Sequence, residues 1–309
     1  MRYAHRKILM LVLGTGLTAI LSLAPGAQAA AGWQQATPPV PIHLSQPWAL
    51  VATSQGEVYI ADRLNYRIVH LSAAGIMLDS WGGFVHRSYD AGPMGVTLDH
   101  NGNVYASDPA GGRILKFSPM GALLASWGRE GSGPGEFMTP VGIAVDSRGC
   151  IYVADALNNR VQKLSPSGAP VAQWGTWGLK PGEFEHPFGL ALDRQGNLYV
   201  SDHLGGRVEK FTPEGRFLAQ WGRAGFKRGE LLLPFGMALD EQGNLYVTDE
   251  INRRVQKFSS SGAVLAVWGG RHQSLFDDPS GIALDGNDKM YVLDQGRNRV
   301  LTLTQPLRQ

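Results

Sequence analysis

The chain has 309 residues, 43% of them apolar, with 28 Lys and Arg against 26 Asp and Glu and a formal charge of +2. That apolar content can build a large core, while so even a charge balance excludes the broad basic footprint of a nucleic-acid or anionic-membrane binder. The one cysteine, Cys150, excludes an internal disulfide.

The N-terminus reads as a secretory leader. Arg2, Arg6 and Lys7 precede an apolar run from Ile8 to Ala24, and Ala27-Gln28-Ala29 has the small-x-small form of a cleavage site. A signal peptide over residues 1–29, cut after Ala29, is expected, and with it a secreted or periplasmic location. The cut would leave 25 basic against 26 acidic residues. The alternative is an uncleaved anchor. Gly14 and Gly16 interrupt the run, which falls short of the ~20 residues of a membrane span, so no stable anchor is expected in the mature protein. Residues 30–46 are rich in Pro and Gln and read as a closing strand around Trp33, then a linker through Pro38, Pro39 and Pro41.

From residue 47 onward the chain repeats one unit, clearest between Pro140 and Gly175. Gly142 to Asp146 alternates small and branched residues, as a strand does. Asp146-Ser147-Arg148-Gly149 is a turn, with Asp able to cap its own backbone and Gly able to take positive φ. Ile151 to Asp155 is a second strand, β-branched and aromatic. Arg160 to Leu164 is the third and Pro170 to Trp174 the fourth, separated by the turn Ser165-Pro166-Ser167-Gly168. Both faces of these strands carry apolar or small residues, so copies must stack face to face.

The copies open at Pro47, Pro93, Pro140, Pro187, Pro234 and Pro279. Every copy has an Asp ending its second strand and an Arg five residues later, from Asp62 and Arg67 to Asp294 and Arg299. A period near 46 residues with four strands per unit is the signature of a β-propeller blade. The sixth copy ends too soon for a fourth strand. Trp33 lies 14 residues before Pro47, close to the 11 to 13 that separate the other blade-ending Trp residues from the next Pro. An all-β six-bladed propeller is expected, with four antiparallel strands per blade and an N-terminal strand completing the last blade. The Asp and Arg recur in every blade and are assigned to the blade itself, pinning the turn between second and third strands.

The pattern G-[IL]-A-[VL]-D…G-[NC]-[IL]-Y-V-[AST]-D…N-x-R-V-Q-K-[FL]…W-G resembles the NHL repeat, as do the approaches Gly135-Glu136-Phe137, Gly182-Glu183-Phe184 and Gly229-Glu230-Leu231. The resemblance covers the chain after the leader and implies the propeller fold. The family includes RNA-binding domains, amidating lyases and many secreted bacterial proteins, so the resemblance alone does not select a function. In its zinc lyases histidines hold the metal around the channel. Here only His186 stands next to a blade-opening proline.

In such a ring the blade-to-blade loops and the second-to-third turns share one face, longer and more varied than the other, and a site is expected there and at the channel mouth. The residues after the opening prolines are Trp48, Met94, Val141, Phe188, Phe235 and Ser280. They either line an apolar pocket or partner patch, or pack against neighbouring loops. Among the turns, His203, Glu250 and Arg253 are the polar candidates. Motifs of zinc proteases, serine hydrolases and phosphate-binding loops are absent. The expected function is a binding scaffold, most simply a monomer, that engages a protein, peptide or glycan. The alternative is a metal-dependent lyase or hydrolase at the channel. No cofactor is predicted, though a channel calcium or zinc is compatible with the sequence, His186 and His203 being the ligands in the enzyme reading. Nucleic acid is not expected as a partner.

Overall fold

A computed structural model describes residues 34–35, 42–85, 92–273, 275–287 and 289–304. They form six four-stranded sheets, each a run of sequence-adjacent antiparallel strands. The sheets are the six predicted blades of a propeller, numbered here from their opening prolines. Blade three is Pro140–Val145, Ile151–Asp155, Arg160–Leu164 and Pro170–Trp174. Its middle strands pair in unbroken register from Ile151 opposite Leu164 to Asp155 opposite Arg160. The first pairing carries a register shift between Pro140 and Ile143, which re-aims the residues after the proline toward the axis.

The core lies between blades. Tyr105 and Ile114 of blade two pack with Ile143, Ile151, Val153 and Leu164 of blade three, closed from above by the loop residue Phe137. At the axis the blades approach backbone to backbone. A Cβ on Gly142 would run into the Phe188 carbonyl of blade four, and one on Gly236 would lie 2.5 Å from the Ser280 carbonyl. The second-strand hydroxyls stitch this contact. Ser201 Oγ accepts from Gly189 N at 2.7 Å and donates to the Phe235 carbonyl of the next blade at 2.7 Å.

The Asp–Arg pairs do more than pin a turn. Arg160 Nε donates to Asp155 at 3.0 Å, and its remaining N–H groups reach the carbonyls of Ser132, Gly133 and Glu136 at 2.7 to 2.9 Å. Asp155 in turn accepts from Met138 N at 2.9 Å. The pair thus clamps the whole incoming loop onto the blade. The turn aspartates are likewise internal. Asp193 Oδ1 caps Gln195 N and Asn197 N, while Oδ2 meets Lys210 Nζ at 2.9 Å. The same Nζ lies 4.8 Å from the Tyr199 ring centroid. Cys150 is a free, half-buried thiol packed against the core between blades three and four.

The second-to-third turns are less varied than their sequences suggest. Each passes through a left-handed residue, among them Tyr66, Gly112, Asn159, Gly206, Arg253 and Asn298 at φ 49 to 66°. Only the side chains differ, because the Asp–Arg clamp needs one backbone path. The leader, its cut after Ala29 and Trp33 lie outside the described residues. Gln34–Gln35 run antiparallel to Arg299–Thr304 in the sixth sheet, Gln34 opposite Thr304 and Gln35 opposite Leu303. Deleting residues 30–35 is therefore expected to lower the melting temperature by roughly 5 °C or more, since a kcal/mol shifts a domain of this size by about 2–4 °C. An unchanged melting curve would remove the closing role of this segment.

Candidate functional site

The bulge at each blade opening brings the residue after the proline to the axis, and the predicted set converges there. The Trp48 ring lies 5.9 Å from Phe188 and 5.4 Å from Phe235, and those two lie 5.2 Å apart. Met94 and Val141 pack with Trp48 and Phe188 in one cluster. Ser280 completes the ring of positions, its Oγ 3.4 Å from the Pro47 carbonyl. Edge-to-face contacts of this kind are favoured by the ring quadrupoles. Met94 and Phe235 are only 7% and 6% exposed, so the cluster is a tightly packed floor around a small axial cavity that these residues line. Of the two readings open for these residues, packing accounts for most of them, and Trp48 and Phe188 keep half-buried edges.

The polar candidates stand around this floor. Arg63 lies over the Trp48 ring, 4.6 Å from its centroid, and donates to Gln46 Oε1 at 3.1 Å. His203 stacks on Phe188 at 4.3 Å. Its Nδ1 lies 3.2 Å from the Pro234 carbonyl, which can only accept, so that nitrogen carries the proton. Burial lowers the His203 pKa to about 4, with nearby His186 acting in the same sense and the Pro234 bond opposing. The ring is neutral at pH 7. His186, held at φ 61°, is also lowered by burial, with Glu185 opposing.

One blade on, Glu250 occupies the rung equivalent to His203. Burial, reinforced by the charge of Asp278, pushes its carboxyl up to about 8. Asp278 is itself raised by burial and by Asp277 and Asp294, against the pull of Arg253. No hydrogen bond reaches the Glu250 carboxyl from the described residues. Arg253 points away from it, to Asp277 at 3.3 Å, and belongs to the outer rim. The structure therefore brings together Trp48, Met94, Phe188, Phe235 and His203 and sets Glu250 beside them. Among the described residues no three His, Cys, Asp or Glu side chains converge as metal ligands. His186 and His203 are two imidazoles without a third partner, so the side chains present do not fit a zinc centre.

The same face carries residues the sequence reading passed over. Trp177 is 72% exposed, Leu179 58% and Phe226 57%. Leu204 and Ile251, on the second-to-third turns of blades four and five, are 51% and 41% exposed. The clamp explains Leu179 and Phe226. Ser132, Leu179 and Phe226 occupy one rung of three successive loops, and the carbonyl of each accepts from the clamp arginine of its blade, Arg160, Arg207 or Arg254. Holding the main chain inward turns the side chain out. Equal spacing before the three Gly-Glu-[Phe/Leu] approaches was the signal in the sequence.

Comparison with known proteins fits this architecture. Residues 137–164, the heart of blade three, match the NHL repeat family profile. No curated protein sequence matches the chain. Among solved structures it is similar to a streptogramin B lyase, at 14% identity over 90% of this chain and 100% of that one, with a TM-score of 0.65. It is also similar to a gluconolactonase from Xanthomonas campestris, at 19% identity over 85% and 87% of the two chains, TM-score 0.64. A virginiamycin B lyase from Staphylococcus aureus aligns at 16% identity over 89% and 88%, TM-score 0.63. At these identities the likeness is one of fold. One blade thus matches the NHL repeat directly, the other blades repeat its strands and its Asp–Arg pair, and the protein is a six-bladed β-propeller.

Proposed function

We propose that the protein is an extracytoplasmic binding propeller that engages a protein, peptide or glycan at the mouth of its variable face. The leader supports the location. One observation carries the binding role: a half-buried Glu250 carboxyl without a donor among the described residues, on the turn equivalent to the one that places His203 at the aromatic mouth. A buried carboxyl lacking a partner is unfavourable in the free protein and strengthens any ligand that brings an N–H or O–H to it. The rigid blades fix Trp48, Arg63 and His203 at the same mouth, so contact requires little ordering.

Calorimetric titration of the mature protein against a panel of peptides and cell-envelope glycans tests this. At least one panel member is expected to bind, with affinity falling about 2- to 10-fold in Glu250→Ala, the range for losing a hydrogen bond to a neutral group. A panel without binders, or a binder indifferent to both Glu250→Ala and Trp48→Ala, would overturn the reading.

A lyase or hydrolase is the second reading, and Glu250 favours it too. A carboxyl titrating near 8 is still protonated at neutral pH and can donate a proton to a leaving group. Elemental analysis of the mature protein separates the two readings. About one tightly held zinc or calcium per chain would favour the enzyme.

A further inference from the structure

The variable face is also chemically lopsided. Over blades four and five its exposed apolar side chains are Trp177 and Leu179 on one loop, Phe226 on the next, and Leu204 and Ile251 on two turns. The loop tips are followed directly by cations: Lys180 after Leu179, and Lys227 and Arg228 after Phe226, all exposed. Arg271 from the next loop lies 5.0 Å over the Phe226 ring. The acids of these loops are turned inward. Glu183 accepts from Lys180 N at 3.0 Å, and Glu230 accepts from Lys227 N at 3.0 Å and pairs with Arg223 at 2.9 Å. Glu185 and Asp277 are half-buried, and the exposed Glu130 lies a loop away, before blade three. The near-neutral total thus hides a local segregation: apolar tips with positive charge behind them.

We infer that this edge of the propeller docks reversibly on an anionic lipid bilayer. The tips are convex and come from different loops, which suits a soft planar surface better than the concave pocket a single protein side chain would fill. Trp and Phe favour the headgroup boundary, Leu and Ile the acyl region beneath it, and lysines at the base of the tips reach lipid phosphates. Aliphatic tips would have no stacking role on a nucleic acid. No helix among the described residues is long and apolar enough to cross a membrane, so the contact would be peripheral. Because the edge covers blades four and five, the disc would tilt, leaving Trp48 and Arg63 of blade one clear. The inference goes beyond the partner binding proposed above and does not depend on it.

Vesicle co-sedimentation of the mature protein tests it, with phosphatidylglycerol–phosphatidylethanolamine vesicles against phosphatidylcholine at about 0.15 M salt, where the Debye length is about 8 Å. At least about tenfold stronger association with the anionic vesicles is expected, falling about tenfold in Trp177→Ala/Phe226→Ala and in Lys180→Glu/Lys227→Glu. Both variants change exposed side chains and should keep the wild-type melting temperature. Brominated lipid should quench wild-type fluorescence more than that of Trp177→Phe. Absence of association with anionic vesicles, or association unchanged in both variants, would overturn the inference. So would self-association in gel filtration that the same variants abolish without any vesicle binding, which would assign the edge to a second copy. Glu250→Ala should leave vesicle binding intact, so failure of the ligand reading and of this one are told apart.

Discussion

Gly142→Ala is expected to destabilise the ring by about 3 kcal/mol or more, at the upper end of what overpacking costs. The added Cβ would collide with the Phe188 carbonyl of the next blade, which is backbone and cannot rotate away. The equivalent glycines Gly95, Gly189 and Gly236 face the Val141, Phe235 and Ser280 carbonyls in the same way. Blade one has Ala49 at this rung, and there the neighbouring inner strand starts late, at Val96. Urea denaturation of Gly142→Ala should show the loss. Stability within about 0.5 kcal/mol of wild type, the range of an ordinary surface change, would mean that the blades can part without penalty.

The second large effect is expected from Arg160→Leu, at about 3–5 kcal/mol, the cost of removing one partner of a buried pair. Arg160 and Asp155 side chains are 8% and 0% exposed. Leucine would leave the Asp155 carboxylate without its cation and the Ser132 carbonyl without its donor, while the Gly133 and Glu136 carbonyls would keep only Glu136 N and Gln162 Nε2. The double variant Asp155→Asn/Arg160→Leu should recover part of the loss, because the uncompensated charge is gone. Recovery would be absent if Arg160 acted only through packing of its alkyl stem, and the double-variant cycle reads that difference. The loop over blade three should also become sensitive to protease in Arg160→Leu, since the clamp is what holds it down.

Much of the architecture was legible because a propeller repeats. Six prolines, a turn Asp, and the Asp–Arg spacing recur at one period, and a repeat that cannot cover its own faces must stack. The mouth residues were legible for the same reason: whatever follows the opening proline occupies one rung. Recurrence also separated scaffold from site, since Asp155 and Arg160 serve a blade in the way Asp202 and Arg207 do.

What the repeat could not reveal lies in how neighbouring copies meet. Phe235 and Met94 line a cavity at the axis, but rings from three blades converge within 6 Å and narrow it. Glu250 looked like a solvated turn residue, and only its burial next to Asp278 raises its pKa. Leu179 and Phe226 are apolar residues in loops, and whether such a residue faces in or out depends on which main-chain carbonyl the clamp arginine holds. The charge balance of the whole chain carries no positions, and Lys180, Lys227 and Arg228 share an edge only after the blades close into a ring. The local pattern of turns and strands determined the blade and the number of blades by itself, since those depend on residues close in sequence. The mouth, its buried carboxyl and its one-sided edge were decided by tertiary structure, because desolvation and surface charge arise from groups far apart in the chain.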